Sequence, residues 1–210
     1  MSAMKSILYS LLLLGIVPGL AAATPNLLIL GDSLSAAHGL RRTDGWVHLL
    51  QQRLAQQGLP FQVVNASISG DTTAGGLARL PPLLRDHQPV LVVLALGSND
   101  GLRGLGLEQL RSNLQALIDA CRQAGAQVLM VGGILPPNYG ALYNQRFAAV
   151  FRDLAAKEQV PLVPTLLAGL GDDLSMFQAD GLHPTAAAQP RMLDNLWAEL
   201  SRQLDQLPSR

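Results

Sequence analysis

Short apolar runs alternate with longer amphipathic stretches over most of the chain. After residue 24, five runs are almost continuously apolar, and polar residues or Gly follow the first four of them. The runs are residues 26–30, 61–64, 90–96, 127–131 and 160–163. Strands that are buried on both faces of a parallel sheet have this pattern. The sequence therefore predicts a five-stranded parallel sheet.

The stretches between the runs carry apolar residues at helical spacing. They predict helices over residues 46–57, 107–124, 143–157 and 185–204. Residues 73–87 have the same spacing, but we expect Pro81 and Pro82 to end or kink that helix. The alternating order predicts a doubly wound α/β fold with flavodoxin-like strand order. Because chemistry in such folds gathers beyond the carboxyl ends of the strands, the polar residues there are the first candidates.

The first 23 residues differ from the rest of the chain. A weakly positive start precedes an apolar run over residues 7–20, and three alanines follow at residues 21–23. This is typical of a secretory signal peptide, and the run is shorter than the roughly 20 residues of a spanning helix. We expect a signal peptide over residues 1–23 and one domain over residues 24–210. The product would be periplasmic or secreted, without a stable membrane span.

Composition narrows the functional classes. The chain is 49% hydrophobic and 14% charged, as expected for a globular domain. Fifteen basic and fifteen acidic residues balance, which argues against nucleic-acid binding. A single cysteine excludes an internal disulfide and a cysteine metal cluster. No phosphate-loop or zincin motif occurs, which disfavours both of those enzyme classes, and a monomer is the simplest expectation for so small a chain.

A serine after the first run and a histidine near the end of the chain are the main chemical candidates. Asp180 lies three residues before His183. A serine hydroxyl needs a base to become a nucleophile, and a histidine base needs an acceptor that orients it. This predicts Ser33 as nucleophile, His183 as base and Asp180 as its orienting group. Capping roles for Ser33 and Asp180 remain alternatives, and His38 is a rival base.

Two further residues could stabilise an oxyanion. Gly70 follows the second apolar run and offers a backbone N–H that no side chain obstructs. Asn99 follows the third run, and its amide is a neutral donor. The alternative is that both are ordinary turn residues. We also expect Pro184 to occupy the first position of the last helix and so fix the direction of His183.

Four segments in this order resemble the SGNH (GDSL) hydrolase family, from about residue 26 to the final helix. They are Gly31-Asp32-Ser33-Leu34, Gly70, Gly97-Ser98-Asn99-Asp100 and Asp180-Gly181-Leu182-His183-Pro184. The resemblance is greatest to the bacterial periplasmic thioesterase and lysophospholipase branch. It implies catalysis by Ser33, His183 and Asp180 without a metal or cofactor. Oxyanion donors would be the backbone N–H groups of Ser33 and Gly70 and the side chain of Asn99.

The resemblance also implies a substrate, a small-molecule carboxylic ester or acyl thioester. Apolar residues near the polar candidates would line its acyl groove: Leu102, Leu105, Leu135 and Pro136. Ordinary loop packing is the alternative for each of them. Other functions left open are a cell-wall or polysaccharide O-deacetylase and a non-catalytic lipid-binding module. A receiver domain is disfavoured, since Lys157 in a predicted helix is the only lysine after the leader.

Overall fold

A single parallel sheet forms the centre of the computed structural model, which describes residues 24–171 and 173–207. Its strands are β1 (Asn26–Gly31), β2 (Gln62–Asn65), β3 (Leu91–Ala95), β4 (Gln127–Val131) and β5 (Leu162–Val163). Their spatial order is β2-β1-β3-β4-β5, and all neighbouring pairs are parallel. This is the flavodoxin-like order. The predicted fold class is therefore confirmed.

The described residues form six α-helices. They are α1 (Trp46–Gln56), α2 (Thr73–His87), α3 (Ser98–Leu102), α4 (Leu107–Gln123), α5 (Ala141–Glu158) and α6 (Gln189–Asp205). Helices α1 to α5 connect the strands, and α6 follows the last strand. Short 3₁₀ turns lie at Arg42–Asp44, Pro137–Tyr139, Leu174–Met176 and Ala186–Ala188. None of the helices in the described part of the chain is both long and apolar enough to cross a bilayer. The predicted signal peptide lies outside the described residues.

Helices cover both faces of the sheet. Side chains alternate along each strand, so Leu28 and Leu30 of β1 pack with α2, α4 and α5, whereas Leu27 and Ile29 pack with α1 and α6. The central strands β1 and β3 are buried almost throughout. This is why their sequences read as continuous apolar runs. The edge strand β2 has exposed ends at Gln62 and Asn65.

Two expectations about prolines are corrected. Helix α2 does not end at Pro81 and Pro82 but continues to His87. Both prolines are exposed, so water can reach the carbonyl groups that they leave without a donor. Pro184 does not begin the last helix, because α6 starts at Gln189. Pro184 instead forms an antiparallel bridge with Phe177, a long-range pairing that the local sequence does not reveal.

Candidate active site

Ser33 lies in a tight turn directly beyond the carboxyl end of β1. The Asp32 carbonyl accepts hydrogen bonds from the backbone N–H groups of Ser35 at 3.2 Å and Ala36 at 2.9 Å. The Asp32 carboxylate accepts a third, from the Leu34 N–H, at 3.1 Å. The alternative in which Ser33 caps a helix is therefore wrong, since the next helix α1 begins only at Trp46. The turn itself fixes Ser33 at the sheet edge.

A chain of hydrogen bonds joins Ser33 to the far end of the sequence. Ser33 Oγ lies 3.0 Å from His183 Nε2, and His183 Nδ1 lies 2.6 Å from Asp180 Oδ2. In the tautomer with its proton on Nδ1, His183 donates to Asp180 and accepts from the serine hydroxyl. The structure therefore brings together the three residues that the sequence singled out. This geometry allows a proton to pass from Ser33 to His183.

The Asp180 carboxylate is held by the turn that it begins. Its Oδ1 accepts the backbone N–H groups of His183 and Leu182, both at 2.9 Å. The His183 N–H, the His183 side chain and the Leu182 N–H lower the pKa of Asp180 well below its ordinary value. Asp180 is consequently an ionised acceptor at neutral pH, as the orientation of an imidazole requires.

Gln178 connects the histidine turn to the serine turn, and sequence reasoning missed it. Its backbone N–H donates to the His183 carbonyl at 2.7 Å. Its side-chain amide donates to the His38 carbonyl at 2.8 Å and to the Pro184 carbonyl at 3.1 Å. The contact to His38 spans 140 residues of sequence, so no local motif could have indicated it.

His38 is close to the site, but its side chain contacts residues other than Ser33. Its ring packs against the His183 ring with 4.3 Å between centroids, and its Nδ1 lies 3.3 Å from Ser69 Oγ. No hydrogen bond joins His38 to the Ser33 hydroxyl among the described residues. The geometry thus favours His183 over His38 as the base.

Gly70 follows β2 in a backbone conformation that favours glycine, with φ of 78°. Arg79 of α2 supports the segment on both sides of Gly70 by donating to the Ala66 carbonyl and, at 2.8 Å, to the Asp71 carboxylate. Sequence reasoning did not identify Arg79. Within residues 24–171 and 173–207, no acceptor takes the backbone N–H of Gly70 or Ser33. Both donors are therefore available to a ligand.

Asn99 lies in the first turn of α3, where the sequence predicted only a loop. Gly97 precedes this helix with φ of 118°, and a Cβ there would lie 2.8 Å from the Phe151 ring. The Asn99 Nδ2 donates to Asp32 Oδ2 at 3.3 Å. The next residue, Asp100, is buried and accepts the Thr73 N–H at 2.9 Å, which ties α3 to the start of α2.

The four apolar residues assigned to an acyl groove have different environments. Leu135 is buried in the core, and Leu102 packs partly buried against the same core. Leu105 is 42% exposed, and Pro136 is partly buried. The Tyr139 hydroxyl, not anticipated from sequence, donates to the Leu102 carbonyl at 2.8 Å. The groove therefore stays a prediction, with Leu105 the member most open to a ligand.

Asp32 is the buried acid at the centre of these contacts. It is 3% exposed, and burial raises its pKa from 3.8 to about 6, against the opposing effects of the Leu34 N–H and His183. The native state therefore holds this proton more tightly than the unfolded chain does. As pH rises from about 4 to above 6, ionisation of Asp32 should lower the free energy of unfolding by about 3 kcal/mol.

Urea unfolding at pH 4 and pH 7 tests this expectation, with Asp32→Asn as the non-titrating control. The stability of the native sequence relative to Asp32→Asn should fall by about 2–3 kcal/mol between the two pH values. A difference that does not change with pH would show that Asp32 ionises normally.

A doubly wound sheet with a Ser–His–Asp hydrogen-bond chain at its carboxyl edge is the arrangement of a serine hydrolase. No group of three His, Cys, Asp or Glu side chains in the described ranges is placed to hold a metal ion. Residues 29–190 match the GDSL-like Lipase/Acylhydrolase family, and the chain belongs to that family. The family resemblance drawn from the four sequence segments is thereby confirmed.

Similar proteins cover most of the chain. Esterase TesA of Pseudomonas aeruginosa is 55% identical over 179 residues, which are 85% of this chain and 89% of that protein. Thioesterase 1/protease 1/lysophospholipase L1 of Escherichia coli K12 is 43% identical over 174 residues, 83% of this chain and 82% of that protein. The crystal structure of the psychrotrophic esterase EstA from Pseudoalteromonas, inhibited by monoethylphosphonate, superimposes with a TM-score of 0.79 at 36% identity. The superposition covers 86% of this chain and 98% of the EstA chain.

Proposed function

We propose that the chain hydrolyses carboxylic esters and acyl thioesters through an acyl-enzyme formed on Ser33. The observation that carries this proposal is the continuous path from Ser33 Oγ to His183 Nε2 at 3.0 Å and from His183 Nδ1 to Asp180 at 2.6 Å. A serine hydroxyl next to an oriented imidazole is an activated nucleophile. Asp180 orients the ring and stabilises the imidazolium that forms during the reaction.

The reaction proceeds in two halves. Ser33 Oγ attacks the acyl carbon while His183 takes the hydroxyl proton, and a tetrahedral intermediate forms. His183 then returns the proton to the leaving oxygen or sulfur, and the alcohol or thiol departs. Water attacks the acyl-enzyme in the second half with His183 again as base, which releases the acid and regenerates Ser33.

Three donors are proposed to bind the oxyanion of the tetrahedral intermediate. They are the backbone N–H groups of Ser33 and Gly70 and the side-chain amide of Asn99. Support comes from the lack of acceptors for both backbone groups among the described residues. The Asn99 Nδ2 carries two hydrogens and uses one on Asp32, so the other is free to donate. Preorganised donors of this kind stabilise charge that develops in the transition state.

The substrate class follows from the family and the relatives. The similar proteins are named an esterase and a thioesterase and lysophospholipase. Apolar side chains at the sheet edge, such as Leu105 at 42% exposure, are suited to contact an acyl chain. We further propose, from the pattern of residues 1–23, that the enzyme is exported. From the small size of the chain we propose that it acts as a monomer on small acyl substrates.

Activity across acyl chain lengths tests the proposal. The purified protein, given p-nitrophenyl esters and acyl-CoA thioesters from acetyl to palmitoyl, should hydrolyse both classes. Its kcat/KM should rise several-fold from acetyl to octanoyl, because each buried CH₂ contributes up to about 0.8 kcal/mol.

Other outcomes identify the alternatives. Turnover confined to acetyl esters would contradict the proposal and indicate an O-deacetylase. Binding of long acyl chains without any turnover would indicate a lipid-binding module instead.

A further inference from the structure

Asp32 joins two parts of the site that come from different elements. One carboxylate oxygen, Oδ1, accepts the Leu34 N–H at 3.1 Å within the serine turn. The other, Oδ2, accepts the Asn99 Nδ2 at 3.3 Å from helix α3, 67 residues further along the chain. Asp32 is buried, and no Arg or Lys of the described residues pairs with it. The Leu34 N–H and the Asn99 amide are therefore the main polar partners of the Asp32 carboxylate.

We propose that Asp32 is a positioning residue that sets the orientation of the Asn99 amide for oxyanion binding. This inference rests on the function proposed above. An ionised carboxylate only accepts hydrogen bonds, whereas an asparagine side chain ends in a donor and an acceptor of similar shape. Asp32 can therefore face the NH₂ group of Asn99 and not its oxygen. This orientation of the Asn99 amide directs its second N–H, and not its carbonyl oxygen, towards the oxyanion.

A reversed Asn99 amide would harm catalysis more than a missing one. It would direct a carbonyl oxygen towards the developing negative charge, and two like partial charges repel. The Asp32 carboxylate, which accepts a hydrogen bond from Asn99 Nδ2, prevents this reversal. The same carboxylate holds the turn that carries Ser33, so the nucleophile and the oxyanion donor share one anchor.

The ionisation state of Asp32 is consistent with this role. Burial is the largest effect on its pKa, which is raised to about 6, and Asp71 raises it further while the Leu34 N–H and His183 lower it. The carboxylate is consequently ionised for the most part at neutral pH. A cavity of about 20 Å³ adjoins it and is lined also by Ser98 and Gly132. That volume is about enough for one water molecule.

A double-mutant cycle between Asp32→Asn and Asn99→Ala tests the proposal. The amide of Asp32→Asn cannot accept from both Leu34 and Asn99, since one of its two ends is a donor. Asn99→Ala should lower kcat for p-nitrophenyl butyrate by roughly 100-fold or more. Asp32→Asn alone should lower kcat by roughly 10-fold or more with little change in KM. On the Asn99→Ala background, Asp32→Asn should have almost no further effect.

The cycle separates failure of this inference from failure of the proposed function. Equal fold-losses for Asp32→Asn with and without Asn99 would overturn the positioning role, since Asp32 would then act through the serine turn. Unchanged kcat in Asp32→Asn would overturn it as well. Unchanged kcat in Asn99→Ala would overturn both this inference and the oxyanion assignment.

A measurement that needs no substitution at Asp32 covers the case in which Asp32→Asn fails to fold. In His183→Ala, where the histidine cannot contribute, the side-chain amide protons of Asn99 are followed by NMR as pH is lowered. We expect one of the two resonances to move as Asp32 takes up its proton, with a midpoint above about pH 6, because His183 no longer lowers the pKa of Asp32. Resonances that stay fixed through this range would contradict the proposal.

Discussion

Replacing Ser33 with Ala should lower kcat/KM for p-nitrophenyl and thioester substrates by a factor on the order of 10⁴ or more. Loss of the nucleophile in a serine triad has effects of this size, because the acyl-enzyme cannot form. Ser33 is partly exposed, and among the described residues its hydroxyl forms a hydrogen bond only with His183, so the substitution should leave the fold intact. Steady-state kinetics together with the thermal unfolding midpoint measure both expectations.

Ser35→Ala is a matched control for that substitution. Ser35 lies two residues away in the same turn, and its buried hydroxyl has no hydrogen-bond partner in the described part of the chain. Its removal should leave kcat/KM close to that of the native sequence. If Ser35→Ala lost as much activity as Ser33→Ala, the losses would reflect distortion of the turn and not loss of a nucleophile.

Replacing His183 with Ala should have the second-largest effect, a loss in kcat on the order of 10⁴-fold. Without the imidazole 3.0 Å from Ser33 Oγ, no described side chain is placed to take the hydroxyl proton. The matched control is His38→Ala, because His38 packs against the same ring at 4.3 Å but bonds to Ser69. The loss of kcat in His38→Ala should be much smaller than the roughly 10²-fold loss that is typical of a missing general base.

The opposite ranking would identify the rival base. A large loss in His38→Ala with a small loss in His183→Ala would transfer the base role to His38. The assignment of Ser33 as nucleophile would stand, but that of Asp180 as the orienting group would not. Among the described residues, the Asp180 carboxylate forms hydrogen bonds only with Leu182 and His183.

The parts of the fold that could be predicted are those that the sheet buries completely. Strands β1, β3 and β4 are apolar on both faces, so their positions were predicted to within a residue or so. The edge strand β2 begins later than predicted, because its register with β1 starts at Gln62 and not at Phe61. Helix α2 keeps the predicted bounds of residues 73–87 and does not end at Pro81 and Pro82, because both prolines lie on its exposed side, where a helix tolerates them.

The candidate site divides in the same way into local and long-range parts. Asp180 and His183 are three residues apart, so one turn is enough to join them, and the sequence could indicate the pair. The supports of the site were not predictable, because they depend on contacts between distant segments. Gln178 reaches His38 across 140 residues, and Asp32 reaches Asn99 across 67. Nothing in the local sequence of either residue distinguishes such a contact from ordinary turn chemistry.

Labelling with an alkyl fluorophosphonate, followed by peptide mass spectrometry, tests the central claim most directly. Only an activated serine displaces fluoride from such a reagent, and the phosphonate then remains bonded to its oxygen. We expect one phosphonate per chain, located on Ser33, with labelling abolished in Ser33→Ala and strongly slowed in His183→Ala. A protein that hydrolyses esters but carries the label on another serine, or takes up none, would contradict the assignment of Ser33 as the nucleophile.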